Sequence, residues 1–396
     1  MNKKFSRIFS LALVLMLCIA MAIPAFADDP LPGADGTITI TKNLIMDNGV
    51  PTPRASFQFE LTTDNEITEE YPDFKGIMEG VKIGETEYDT ETDSGNLTYI
   101  AIFNKGAAAT PGKPGDTAAT GYQYESDTFV IDFNGVDFQK PGVYHYVLTE
   151  TAIENSPFSI GSANPQHIDV YVEYATVNGE ESDELTIQTI IVHNGGSDGT
   201  EATEDSKTGG EFNNNYETVD LKGQKKVTGN QGDRTQHFTF KVTVTNPTAP
   251  DGVTYPEEYD IVFDGLNGCT TGNHSNAKIT AGQELDIELK DGEYFEIKGL
   301  PKGATYTITE VAADGYTTTA TVNGEDHAND DATGGNFKVE DTEGLEADLT
   351  TVLVENNRGG SVPTGILLTI APFAALTVIG VAGALFVVLR KRSSVQ

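Results

Sequence analysis

Tryptophan is absent from the 396 residues, and cysteine nearly so. Aromatic packing therefore falls to 15 Tyr and 19 Phe. Cys18 lies in the first apolar run, and the only other cysteine is Cys269. If that run is removed on export, no intrachain disulfide can form. Extracellular domains often use disulfides as staples, so the core needs another fastening. Basic residues are also scarce, 25 Lys plus Arg against 60 Asp plus Glu, a net charge of −35. Such a field repels nucleic acid and anionic lipid and excludes partners that need a basic patch. The six histidines are scattered, with no Ser-His-Asp set, zinc spacing or paired-carboxylate cleft. The expectation is a protein that is not an enzyme and uses no cofactor or metal. The acidic runs Asn194 to Ser206 and Asp326 to Asp331 lack calcium-ligand spacing and read as solvated loops.

Helical periodicity is missing between the two ends. Short alternating runs recur instead, broken by Gly, Pro, Asn and Asp, which is the pattern of an all-β chain. The chain also repeats itself. Thr37 to Leu44 opens one half and Val219 to Val227 the other; Phe57-Gln58-Phe59 is echoed by Phe238-Thr239-Phe240. Gly142 to Glu150 is echoed by Gly303 to Glu310, and the halves close on Phe212 to Tyr216 and Val352 to Asn357. Two tandem β-sandwiches of similar topology are expected, residues 28–217 and 218–360, with a boundary near Glu217. Lys105 to Gly121, rich in Gly, Ala, Thr and Pro, is expected to be a mobile surface loop.

The ends bracket these halves. Lys3, Lys4 and Arg7 precede an apolar stretch, Leu11 to Ile23, and Ala25-Phe26-Ala27 is a small-x-small cleavage site, so residues 1–27 read as a signal peptide. At the other end Val362-Pro363-Thr364-Gly365 is followed by an apolar run, Ile366 to Leu389, and by Arg390-Lys391-Arg392. At ~1.5 Å per residue that run is long enough to cross a bilayer, with the basic cluster on the inner side. The order in 361–396 resembles the cell-wall sorting signal of Gram-positive surface proteins, with Val before Pro in place of the usual Leu-Pro-x. The resemblance implies that a sortase cuts between Thr364 and Gly365 and joins the Thr364 carbonyl to an amine, so the membrane holds the chain only before sorting.

Residues two apart on a strand share a face. Lys42 is in phase with Ile38, Ile40 and Leu44, and Lys225 with Val219, Leu221 and Val227. Glu150 is in phase with Tyr144, Tyr146 and Leu148, and Glu310 with Tyr306 and Ile308. Asn214 is in phase with Phe212 and Tyr216, and Asn356 with Val352 and Val354. Each half thus points one Lys, one Glu and one Asn at its core. Desolvation favours a neutral amine, which is a nucleophile, and a protonated carboxyl, which can polarise the Asn carbonyl and carry a proton to departing ammonia. The expected product is an autocatalytic Lys–Asn isopeptide bond in each half.

The runs Thr-Lys-Asn-Leu, Phe-x-Phe, Gly-x-Tyr-x-Tyr-x-x-Thr-Glu and Phe-x-Asn, followed by Lys-Lys-Val-x-Gly, resemble the streptococcal pilin isopeptide-linkage (FctA/T-antigen type) family. The likeness covers essentially the whole mature chain. It implies two inverse-immunoglobulin (Cna-B-type) sandwiches, a Lys42–Asn214 bond assisted by Glu150, and a Lys225–Asn356 bond assisted by Glu310. Asn213 and Asn215 flank the first acceptor, although phase selects Asn214, and Asn357 stays an alternative to Asn356 as the second. The resemblance also implies a polymerisation lysine just before the last strand of the first half, the position of Lys207. The function implied is a major pilin, a shaft subunit joined head to tail with copies of itself by a sortase and finally to peptidoglycan at the cell surface. A wall-anchored adhesin or basal minor pilin binding a host ligand is the alternative.

Overall fold

The computed structural model describes residues 33–63, 77–89, 95–116, 118–161, 163–177, 180–194, 207–263, 278–331 and 335–360. The expected signal peptide, the sorting signal with Val362, Pro363, Thr364 and Gly365, Cys269 and the acidic run from residue 195 to 206 lie outside them.

The described residues form strands and no helix. The earlier half carries β1 (Thr37–Asp47), β2 (Ala55–Thr63), β3 (Lys82–Ile83), β4 (Thr86–Glu87), β5 (Leu97–Phe103), β6 (Thr110–Pro111), β7 (Tyr122–Asp132), β8 (Gly142–Glu150), β9 (Phe158–Ile160), β10 (Gln166–Val177), β11 (Glu180–His193) and β12 (Glu211–Tyr216). The later half carries β13 (Thr218–Thr228), β14 (Phe238–Thr245), β15 (Glu258–Phe263), β16 (Lys278–Thr280), β17 (Leu285–Leu289), β18 (Tyr294–Pro301), β19 (Thr305–Glu310), β20 (Thr317–Val322), β21 (Glu325–His327), β22 (Phe337–Asp341) and β23 (Leu349–Asn357).

These strands make two pairs of sheets. In the first pair, a sheet ordered β4-β3-β7-β1-β12-β9, with β6 on β7, faces one ordered β11-β10-β8-β2-β5. In the second, β16-β15-β18-β13-β23-β20-β21 faces β17-β14-β19-β22. Alternation decides what lies between them: β2 buries Ala55, Phe57, Phe59 and Leu61, and β14 buries Phe238, Phe240, Val242 and Val244. Phe59 crosses the first gap to meet Phe129 at 5.1 Å and Phe212 at 5.0 Å between ring centres. Tilted or edge-on contacts of this kind add about 0.5–1.5 kcal/mol beyond burial.

One pairing recurs in both halves. The first strand and the last strand lie side by side and parallel, β1 with β12 and β13 with β23. Parallel neighbours cannot be joined by a tight turn, so nearly the whole of each half intervenes between them. The stretch expected as a mobile loop, Lys105 to Gly121, is largely exposed but tied down: β6 pairs with β7, Gly106 N–H donates to the Thr52 carbonyl and Gly112 N–H to that of Tyr122. Glu217 sits between β12 and β13, and its carboxylate meets Lys302 at 3.1 Å. The two sheet pairs touch through a backbone bridge between Arg54 and Thr254 and an ion pair of Lys105 with Glu257 at 2.7 Å.

Candidate functional site: a buried Lys, Glu and Asn in each half

Lys42 and Lys225 are fully buried, although lysine is among the residues least often found inside a protein. Phase explains why. On β1 the threonines take the outer face, so Lys42 follows Ile40 and precedes Leu44 on the inner one. On β13 strict alternation buries Val219, Leu221, Lys225 and Val227, while Lys226 stays exposed.

The facing sheet supplies the acid. Glu150 ends β8 opposite Phe59, and Glu310 ends β19 opposite Phe240, both buried. Lys42 Nζ lies 2.9 Å from Glu150 Oε2, and Lys225 Nζ 3.1 Å from Glu310 Oε2. The asparagine arrives on the neighbouring parallel strand. Asn214 pairs with Leu44 and Asn356 with Val227, so each asparagine stands opposite the residue two beyond its lysine. Asn214 Nδ2 donates to Glu150 Oε1 at 2.5 Å and Asn356 Nδ2 to Glu310 Oε1 at 2.6 Å. In each half, one carboxyl bridges one amine and one carboxamide.

The flanking asparagines go elsewhere. Asn213 lies on the other face, where it accepts from Asn43 Nδ2 at 2.8 Å, and the Ser126 hydroxyl donates to Asn43 Oδ1. Asn215 is exposed and near Ser159, while Asn357 is exposed and donates to the Thr228 hydroxyl. Register therefore brings Asn214 and Asn356, and not their neighbours, to the glutamates.

Electrostatics favour the neutral forms. Burial is the largest influence on both lysines and lowers each to about 8, against a partial pull upward from its glutamate. Burial likewise pushes both glutamates up, partly offset by the lysine and the asparagine amide. Moving the proton from amine to carboxyl removes two charges from a dry site. Each amine also sits over an aromatic ring, Lys42 4.6 Å from the centre of Phe57 and Lys225 4.4 Å from that of Phe238. These phenylalanines exclude water from the amine. The sequence showed these phenylalanines only as a repeated Phe-x-Phe, and it is the assembled sheets that set their rings against the amines.

The amide oxygens differ between the halves. Asn214 Oδ1 accepts from Gly161 N–H at 3.4 Å, whereas Asn356 Oδ1 is buried with no hydrogen-bond partner among the described residues. A half-turn of the Asn356 amide sets its oxygen against Glu310, where a protonated carboxyl donates to it. Amine, acid and carboxamide, the three groups that an acid-assisted aminolysis uses, then share one dry site.

Lys207 stands apart from both clusters. It is half-buried and forms an isolated antiparallel bridge with His193 at the end of β11. The turn behind it is anchored: the Thr208 hydroxyl donates to Gln166 Oε1 at 2.6 Å, and Gln166 Nε2 donates to the Glu211 carbonyl. The loop around Asp326 to Asp331 is closed by its own hydrogen bonds, with Asp330 accepting from His327 and from the Glu340 amide.

A family described as a domain of unknown function (DUF7601) matches residues 219–343. A pilin of Streptococcus pyogenes serotype M1 is 27% identical over 387 residues, covering 96% of this chain and 98% of the relative. The pilus tip adhesin Cpa of Streptococcus pyogenes is 29% identical over 142 residues, 36% of this chain and 17% of that protein. Among solved structures, the major pilin of Streptococcus pyogenes aligns with a TM-score of 0.51 at 21% identity, over 82% of this chain and 99% of the other. The T3.2 major pilin of the same species aligns with a TM-score of 0.51 at 21% identity, over 82% and 98%. The chain is thus similar in sequence, along nearly its full length, to a streptococcal pilin, and it shares the fold of the streptococcal major pilins.

Proposed function

We propose that this chain is the shaft subunit of a covalent surface pilus, built of two tandem inverse-immunoglobulin sandwiches divided near Glu217. In each sandwich Lys42 or Lys225 attacks the side-chain carbonyl of Asn214 or Asn356, assisted by Glu150 or Glu310. The protonated carboxyl donates to the amide oxygen as the C–N bond forms, the glutamate then relays one amine proton to the Asn nitrogen, and the old C–N bond breaks to release ammonia. The observation that carries this reading is the duplicated Lys–Glu–Asn cluster, buried at the same register between first and last strands. Tension entering at one end of a sandwich then runs through the new bond and does not peel the terminal strands apart.

Between subunits, a sortase transfers the Thr364 carbonyl to the Lys207 amine of the next copy, and finally to peptidoglycan. The near-full-length likeness to a pilin supports the shaft role over that of a tip adhesin, which is matched over a much smaller part of its length. The test has two parts. The recombinant ectodomain should weigh about 34 Da less than its sequence, one ammonia per bond. Surface extracts should run as ladders on denaturing gels that collapse to a single band in Lys207→Ala. A full sequence mass, or ladders that persist in that variant, would overturn the corresponding part.

A further inference from the structure

Asp169, on β10, is almost fully buried yet points away from the core. Its neighbours Ile168 and Val170 fill the interior, so Asp169 belongs to the outer face of its sheet. There both of its oxygens meet imidazoles. His145 Nδ1 on β8 lies 2.7 Å from Oδ1, and the buried His193 Nε2 on β11 lies 3.2 Å from Oδ2. His167 stacks on His193 at 5.3 Å between ring centres. Burial pushes the Asp169 carboxyl up, but hydrogen bonds and charge from the two histidines outweigh it and hold the group below its ordinary value. An ionised carboxylate kept in a dry place needs partners, and these two imidazoles are its partners.

This arrangement adjoins Lys207. The bridge between His193 and Lys207 sets the two residues directly opposite each other. Directly opposed residues share a face, with Cβ atoms about 5 Å apart. The Gln166–Thr208–Glu211 hydrogen bonds then hold the lysine's backbone in that register.

We propose that His193 is the base for acylation of Lys207, with Asp169 and His145 as the residues that position and charge-balance it. The inference rests on Lys207 being the acceptor in fibre assembly. The donor is the Thr364 carbonyl carried on the sortase as an acyl–enzyme. The amine nitrogen attacks that carbonyl, a C–N bond forms, and His193 takes one proton as nitrogen becomes positive. The bond from carbonyl to enzyme breaks, the enzyme's nucleophile leaves with the electron pair, and the proton returns to it from the imidazolium. Asp169 stabilises the imidazolium while it exists, the role a buried carboxylate plays beside a catalytic histidine. The titratable groups facing His193 among the described residues are Asp169 and His167 on β10, His145 on β8 and Lys207 itself. Glu173 lies further along the same strand.

The experiment measures transfer of a donor peptide ending in residues 361–365 by the cognate sortase, from pH 5.5 to 9. One acceptor is the intact ectodomain and the other a simple primary amine. The pilin profile should carry a limb that the free-amine profile lacks. His193→Gln should lower the rate about a hundredfold near neutral pH and remove that limb, while still shedding both ammonias as proof of folding. Asp169→Asn should lower the rate and shift the limb. Identical limbs for pilin and free amine would assign the base to the sortase and overturn the proposal, even if the variants fail to fold. Transfer mapped by mass spectrometry to another lysine would instead sink the Lys207 reading.

Discussion

Replacing Asn214 by alanine tests the internal bond most directly. The substitution removes the acceptor and leaves Lys42 and Glu150 facing each other in the core. The bond from Lys42 to Asn214 closes a loop of about 170 residues, for which the chain-entropy treatment of cross-links gives about 5 kcal/mol of stabilisation. The first sandwich is large enough that each kcal/mol moves its melting temperature by about 2–4 °C, so the variant should melt about 10–20 °C lower. It should nonetheless fold, because the remaining amine and carboxyl can share one proton in a nearly uncharged pair. The assay combines calorimetry with intact mass on the same sample. The variant should lose one ammonia, about 17 Da, where the parent loses two. A melting point within ~2 °C of the parent together with an unchanged ammonia count would refute the argument, since neither cross-link nor acceptor would then be where it is assigned.

Further outcomes follow from the same geometry. Glu310→Ala should leave the second bond unformed after days at neutral pH while the first forms normally, read as one missing ammonia, because Glu310 alone bridges Lys225 and Asn356. Asn213→Ala and Asn357→Ala should still shed both ammonias, since those side chains bond to Asn43 and Thr228 and not to a glutamate. The pH dependence of Asn214→Ala carries a sign. Free Lys42 titrates near 8 when folded and near 10.5 when unfolded. The unfolded chain binds more protons between those values, so stability should rise with pH across that window, by up to about 3 kcal/mol. Glu150, raised on folding, acts oppositely: between its ordinary value and its higher folded one, stability falls as pH rises. The cross-linked parent should lack the alkaline rise, because an amide nitrogen does not titrate. Denaturant melts from pH 7 to 11 on both proteins check this.

Much of the site was legible before any coordinates because strand phase is local. Lys42 follows Ile40 by two residues, so its burial follows from alternation whatever strand comes to lie beside it. The same holds for Glu150 after Leu148 and for Asn356 after Val354. Seeing one amine, one acid and one carboxamide in the same order in both halves then turns three oddities into one chemistry. Along the chain, phase selects Asn214 over Asn213 and Asn215, whereas Asn357 stays beside Asn356 as an alternative acceptor. The parallel register, which sets Leu44 against Asn214 and Val227 against Asn356, brings Asn356 and not Asn357 to Glu310.

By itself, then, the sequence determined the strands, the face each residue takes, and the polar residues destined for the interior, because a period of two is written in neighbouring side chains. Tertiary structure alone decided which of those residues touch. The partners are separated by most of a half, and their meeting depends on strand pairings that no local pattern encodes. The same reason hid the phenylalanines over the amines and the Asp169 cluster beside Lys207: His145, Asp169 and His193 come from three strands and share no motif. They become neighbours only when the sheet is assembled.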